Sequence, residues 1–362
     1  IPTEHFRLAN SLGFDASATW RILELPMLRR VLPGVFLVIF LICTTSFTVA
    51  LALGGGPGAT TVELAIYQAF RFDFDLGRAA LLGLVQVTIC ILAVATTRLG
   101  GSPHNLGMGL GRAVSNAGMA PWRSDYPAIL AAAVFLFLPL IMIFLAGTSR
   151  LLELPEVVYW SAARSVGVAL ASATLTIALA LPLSFLVART VGRVSFLLDG
   201  IGMLPVALSP LVLGIGLYLL LLHVTNPLEL ALPVTAVVNA VMSLPFVLRI
   251  LVPSVHSTLG DYGRLSESLG IRGRSFFLHV LLPRVRQPLG FGAGLAGALS
   301  MGDLGVIALF GSPDGGTLPL ALYRLMGSYR MEDAAGAAVL LLVLSLSIFW
   351  LFDRGGRGDA AI

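Results

Sequence analysis

The sequence contains no lysine: all 23 of its basic residues are arginine. That absence removes a lysine-closed phosphate loop, a Schiff-base amine and a Ser–Lys dyad. Charge of either sign is scarce, at 12% of 362 residues, about half the share of a soluble domain. Cysteine is nearly missing; Cys43 and Cys90 both sit in apolar runs, so no disulfide framework is implied. His5, His104, His223, His256 and His279 are scattered, and no spacing among them pairs metal ligands, so no metal site is expected. Paired intramembrane carboxylates, a Ser–His set and a His-Glu-x-x-His motif are all lacking, which argues against an intramembrane enzyme and leaves no catalytic residue to nominate. Neither a signal peptide nor an initiator Met opens the chain.

What remains is 57% hydrophobic, more apolar surface than a soluble fold can hide, so the solvent must be lipid. A helix needs about 20 apolar residues to cross a bilayer. Eight windows qualify: 31–53, 79–97, 128–149, 165–188, 200–222, 230–248, 287–311 and 334–352. Pro182, Pro205, Pro210, Pro233 and Pro245 lie inside them and predict kinks that neighbouring helices can satisfy. Eight spans put both termini on one side. With the first segment in the cytoplasm, only Arg71, Arg78, Arg150, Arg164, Arg324 and Arg330 fall outside, a clear positive-inside asymmetry. The net charge of +4 is thus spread by membrane side and not along a nucleic-acid groove, so no nucleic-acid partner is expected. Trp20, Trp122, Trp160 and Trp350 fall near span ends, as in an aromatic belt.

The chain also repeats itself. Leu12-Gly13 and Leu25-Pro26 recur as Leu269-Gly270 and Leu282-Pro283, 257 residues on, with Ser11 matching Ser268 and Arg29 matching Arg286. Gly54 matches Gly311 at the same offset. After a one-residue adjustment, Thr61, Leu64, Ala65 and Tyr67 match Thr317, Leu320, Ala321 and Tyr323. Six spans separate equivalent points, an even number, so the copies are parallel. The second copy has six spans and the first only its last two, so the sequence reads as a fragment missing about four leading spans. The expected organisation is a first half at 1–98, a Gly/Ser/Pro-rich cytoplasmic linker at 99–127 and a second half at 128–362, with its repeated cytoplasmic loop at about 256–284.

In each repeated loop a Gly is followed ten residues later by an aliphatic residue, twelve later by Leu and thirteen later by Pro. The pattern resembles the EAA loop of ABC-importer permeases. The resemblance implies an all-α polytopic membrane protein with the type I ABC importer transmembrane fold, two parallel repeats and about eight helices. It implies that each loop forms a short coupling helix docking on an ATP-hydrolysing partner, at Arg7, Ala9, Gly13, Leu25 and Pro26 in one copy and Arg264, Glu267, Gly270, Leu282 and Pro283 in the other. Arg7 and Arg264 stand where the family has Glu. A helix that ends at Gly and restarts before Pro makes an L-shaped lever, which suits that task.

Within the family, Ser300–Gly311, Thr317-Leu318-Pro319, Tyr323, Gly327–Arg330 and the first-copy stretch Gly54–Ala69 are similar to the fused permeases of thiamine importers, relatives of the iron(III) permeases. This implies uptake of thiamine or its phosphates across the bacterial inner membrane. The implied partners are two copies of an ABC ATPase, which hold the ATP and Mg, and a periplasmic binding protein; this chain itself holds no cofactor. A fused permease for iron(III) or another small ion is the alternative. An ion-coupled secondary transporter is disfavoured, because it would need several mid-membrane ionisable groups. Asp303 alone lies inside an apolar window, where an acid costs about 2.5–3.5 kcal/mol. It and its first-copy counterpart Ser46 are candidate pathway residues, with helix-end packing of Asp303 the alternative. The Gly-rich stretches 54–61 and 311–317 read as tight outer turns, so Gly56, Pro57, Tyr67, Gly311, Thr317 and Tyr323 are candidate contacts for a binding protein.

Overall fold

The computed structural model describes residues 3–54, 60–99, 125–224, 226, 228–310 and 315–357. The expected linker at 99–127 lies mostly outside them. The chain divides into two compact units, Ile1–Cys43 with Ile89–Met142 and Thr44–Thr88 with Ile143–Ile362. Among the described residues there is no strand. Six helices are long and apolar enough to cross a membrane, or up to eight if each of two bent pairs is one span.

In the first unit, α1 (Thr3–Ser11) ends at Gly13, and a short α2 (Ala16–Thr19) follows. The Asp15 carboxylate accepts from Ala18 N at 2.8 Å and caps α2. A π-helical turn, Trp20–Glu24, then leads into α3 (Leu25–Thr44). The turn is wide because Pro26 follows it. Proline clashes with the carbonyl four residues back, and a wider turn makes room: Leu25 N bonds to Trp20 O, five residues back.

α3 gives way at residues 45–46 to α4 (Phe47–Leu53), followed by α5 (Val62–Arg71) and α6 (Leu76–Leu99). The Thr61 hydroxyl caps α5 by accepting from Leu64 N at 3.3 Å. After α7 (Asp125–Gly147) comes α8 (Glu156–Arg189). Its buried face is a ladder of small and hydroxyl side chains: Ser161, Ser165, Ala169, Ser172, Ala173, Thr176, Ala180 and Ser184. Small residues let neighbouring backbones come close where no hydrophobic force sorts helix from lipid. Thr176 donates to Ser172 O and approaches Ala240 O at 3.2 Å. The next helix pair is sharply bent: Arg193–Ala207, which holds α9 (Arg193–Met203), meets α10 (Pro210–Leu221) at 94° across residues 208–209, with Ser209 capping α10.

The long α11 (Ala231–Ser268) packs along α8. At 1.5 Å per residue its 38 residues run about 57 Å, well past a hydrocarbon core of about 30 Å. Its far end, beyond Arg249, therefore extends well past such a core. There the chain turns at Gly270 into α12 (Gly273–Phe276), a second π turn (Phe277–Leu281) and α13 (Leu282–Met301). α13 presents Gly290, Gly294 and Gly297 to α16 (Met331–Gly356). A Cβ on Gly290 would lie 2.6 Å from Gly356 Cα, and one on Gly294 2.8 Å from Phe349 O, so only glycine permits this approach. α8, α11, α13 and α16 make the central bundle of the second unit, closed by Leu244, Val247, Leu248, Leu251 and Ala296. Between α13 and α16 lie α14 (Gly305–Phe310) and α15 (Leu318–Gly327).

Candidate functional site

The two bends of the repeated loops have the same backbone. Gly13 has φ +71° and Gly270 φ +73°, the left-handed conformation that ends a helix. In the first, Phe14 N bonds to Ala9 O at 3.0 Å and Gly13 N to Asn10 O at 3.1 Å; in the second, Ile271 N bonds to Ser266 O at 2.8 Å and Gly270 N to Glu267 O at 3.2 Å. Ser11 and Ser268 each donate to the carbonyl three residues back. A Cβ on either glycine would meet nothing within 4 Å, so the demand is conformational and not steric. α2 and α12, both π turns, and α3 and α13 then begin and end at positions 257 apart. Leu282 N bonds to Phe277 O ahead of Pro283, as Leu25 N does to Trp20 O ahead of Pro26.

Side chains divide alike in the two bends. Ala9 and Ser266, equivalent positions, are buried, while Leu8 and Leu12 (59% and 62% exposed) match Leu265 and Leu269 (54% and 66%). Each bend thus offers a solvent-facing Leu pair one helical turn apart. Arg264, Glu267, Pro26 and Pro283 are exposed, and Leu25 and Leu282 half-buried. The Arg7 side chain lies outside the described residues, although its backbone is in α1. The second bend is anchored through Val255, Phe276, Leu281 and Val285, with Leu181 and Phe185 of α8 against them. Arg284, beside Pro283, stacks over the Tyr262 ring of α11 at 4.4 Å.

Residues 55–59 and 311–314, with Gly56, Pro57 and Gly311, lie outside the described residues, but their flanks are placed. Leu318 N, at the start of α15, bonds to Ser165 Oγ at 2.7 Å, and Ser165 is nine residues inside the outer end of α8. Glu63, at the start of α5, bonds to Gln86, ten residues inside the outer end of α6. At 1.5 Å per residue both helices start about 14–15 Å below the outer helix ends. α5 and α15 thus each begin below the outer ends of neighbouring helices and run outward to a turn. Tyr67 and Thr317 are buried and Tyr323 half-buried within this chain. Exposed aromatics at this end include Phe72, Phe74 and Tyr329, 69%, 79% and 88% exposed, at the turns that end α5 and α15. Phe74 and Tyr329 are the two non-glycine residues with positive φ among those described, +51° and +59°. Beside Tyr329 a cleft of about 230 Å³ is lined by Pro155, Ser161, Arg324 and Arg330 among others. Nearby, Arg150 is held by Glu153 and Glu332, and the hydrogen bond to Glu332 raises its guanidinium above its ordinary value.

Asp303 sits at the break between α13 and α14, and Ser46 at the matching break between α3 and α4. Asp303 Oδ1 accepts from Gly305 N at 3.2 Å and so caps α14. Asn239, which donates to Ser300 Oγ at 3.0 Å, lies beside it. Ser46 is half-buried and makes no side-chain cap. Sequence reasoning missed Glu63, which is fully buried. The signal was present in Gln86, a lone amide at the centre of an apolar span.

Residues 180–356 match the family described as binding-protein-dependent transport system inner membrane component. The chain is 36% identical over 375 residues to the thiamine transport system permease protein ThiP of Escherichia coli (strain K12), covering 98% of this chain and 68% of that protein. It is 38% identical over 363 residues to the protein of the same description from Brucella abortus (strain 2308), covering 98% and 66%. The chain thus spans about two-thirds of the length of these curated relatives. Sulfate permease 2, chloroplastic, of Chlamydomonas reinhardtii is 32% identical over 44% of this chain and 46% of its own length.

Proposed function

The chain belongs to the family of binding-protein-dependent transport system inner membrane components, and from that premise we propose that it forms the membrane pathway of an ATP-driven thiamine importer. In this reading a periplasmic binding protein delivers thiamine or a thiamine phosphate to the outer face, and the cargo crosses the bacterial inner membrane. Two copies of a separate ATPase hold the ATP and Mg and supply the work; this chain does no hydrolysis itself. The observation that carries the reading is the pair of identical bends 257 residues apart, each with an αL glycine, an exposed Leu pair and a π turn fixed by proline. Two equal levers suit two ATPase protomers, and a wide turn ahead of a span is a place where helix direction can change.

At the outer face, the turns with Phe72, Phe74 and Tyr329 are the proposed seat of the binding protein, since large exposed aromatics are favoured anchors at interfaces. Thiamine is favoured over iron(III) or another small ion because the relatives matched along nearly the whole chain are thiamine permeases, whereas the sulfate permease matches less than half.

The test is uptake into proteoliposomes holding the full-length protein with its ATPase and binding protein. Labelled thiamine is expected to accumulate only with ATP and binding protein, and to be indifferent to a proton ionophore. Uptake that needs no ATPase and collapses with the ionophore would overturn the reading in favour of ion-coupled transport.

A further inference from the structure

Glu63 has no exposed surface, and Gln86 has 1%. Gln86 Nε2 donates to Glu63 Oε1 at 2.6 Å and approaches Thr44 O at 3.4 Å, and the Ser209 hydroxyl lies beside the same carboxyl. This leaves Glu63 Oε2 and Gln86 Oε1 buried without a hydrogen-bond partner among the described residues. Asp303 repeats the pattern: Oδ1 caps α14, and Oδ2 is buried and unpartnered. No arginine pairs with either acid among the described residues. An uncompensated carboxyl in a dry interior costs several kcal/mol, so Glu63 is an expensive arrangement for packing alone; Asp303 is half-buried, with only Oδ2 out of reach of solvent.

Their placement is not random. Gln86 lies ten residues inside the outer end of α6, and Asn239, beside Asp303, eight inside that of α11, so both acids stand about 12–15 Å down. Glu63 comes from the first repeat and Asp303 from the second. Between them runs one seam: Ser209 touches Glu63, the adjoining Pro210 packs on Gly305, and Phe47 closes against Gly305 from α4. The repeats do not duplicate the charge. Glu63 aligns with Pro319 and Asp303 with Ser46, so each copy supplies one acid, at a different step of the same hairpin. A seam between repeats, lined at similar depth by two carboxyls that each keep one oxygen without a donor, presents a field for a cation and nothing for an anion.

We propose that Glu63 and Asp303 form a paired acidic gate, one acid from each repeat, that recognises the delocalised positive charge of a small organic monocation as it crosses the seam. Gln86, Ser209 and Asn239 are positioning residues that hold the two carboxyls when the gate is shut. The proposal rests on the transport function argued above and adds to it the step at which the charge of the cargo is read.

The experiment compares two cargoes in the same proteoliposomes: thiamine, a monocation, and thiamine monophosphate, whose phosphate offsets that charge. Glu63→Gln keeps the shape and the amide contact and removes only the charge; Asp303→Asn does the same in the other repeat. Each is expected to lower the ratio of thiamine to monophosphate uptake about tenfold, and Glu63→Asp to restore most of it. A defect in folding or in ATPase coupling lowers both cargoes together and leaves the ratio alone. A wild-type ratio in both Glu63→Gln and Asp303→Asn, or equal loss of both cargoes in the two variants, would overturn the gate while leaving the importer intact. If the wild-type protein takes up neither cargo, the importer reading fails first.

Discussion

From Ala16 to Thr44 and from Gly273 to Met301 the two copies share every helix boundary, yet the surfaces on that shared backbone differ. α13 carries Gly290, Gly292, Gly294 and Gly297 where α3 carries Pro33, Val35, Leu37 and Phe40. The glycines let α13 touch the α16 backbone; the bulky first-copy residues include Val35, Phe36 and Ile39, all exposed. The comparison teaches that bend and span are separable. The Gly-to-Pro interval sets the lever's shape, and the apolar face after it sets what the lever is attached to.

The comparison breaks hardest at the glycine face. Gly290→Leu would drive a side chain into Gly356 and Phe352, at a cost of about 3 kcal/mol, and the detergent-solubilised protein should lose its cooperative melting transition. Val35→Leu, at an exposed place on α3, should change stability by less than about 0.5 kcal/mol. A smaller and symmetrical effect is expected at the bends. Gly13→Ala and Gly270→Ala each put an L residue in left-handed backbone, costing about 1–2 kcal/mol. Cargo-stimulated ATP hydrolysis should fall severalfold in each, and unequal losses would show that the two levers do not work alike. A further contrast lies at the starts of α5 and α15. Thr61→Val removes the cap on Leu64 N and should cost about 0.5–1 kcal/mol. Thr317→Val removes a buried hydroxyl that already lacks a partner, so stability should hold or rise slightly.

Much of this was legible in the amino-acid order. Long apolar runs gave the spans, because the bilayer sets a length that sequence displays directly. The bends were legible because glycine and proline act on their own backbones, which makes Gly13, Gly270, Pro26 and Pro283 local signals. The inward starts of α5 and α15 were not. Each is a ten-residue helix with an arginine near its outer end, too short for a span and ordinary for a loop. Their depth is decided by contacts far apart in sequence, Leu318 N to Ser165 Oγ and Gln86 Nε2 to Glu63 Oε1. For the same reason Asp303 looked solitary: its companion acid lies in a segment that hydropathy leaves outside the membrane. The π turns had no signal beyond the Leu-Pro pair that follows each.

Those wide turns have a further consequence. A π turn can migrate along a helix only by passing one amide hydrogen bond to the next residue, and Pro26 and Pro283 have no amide hydrogen to pass. Each is therefore locked in place on its downstream side, and adding or deleting one residue between glycine and proline would spin the span behind it by about 100°. The thirteen-residue interval works like the tooth count of a gear, and an altered count in one copy alone would set the two halves out of phase.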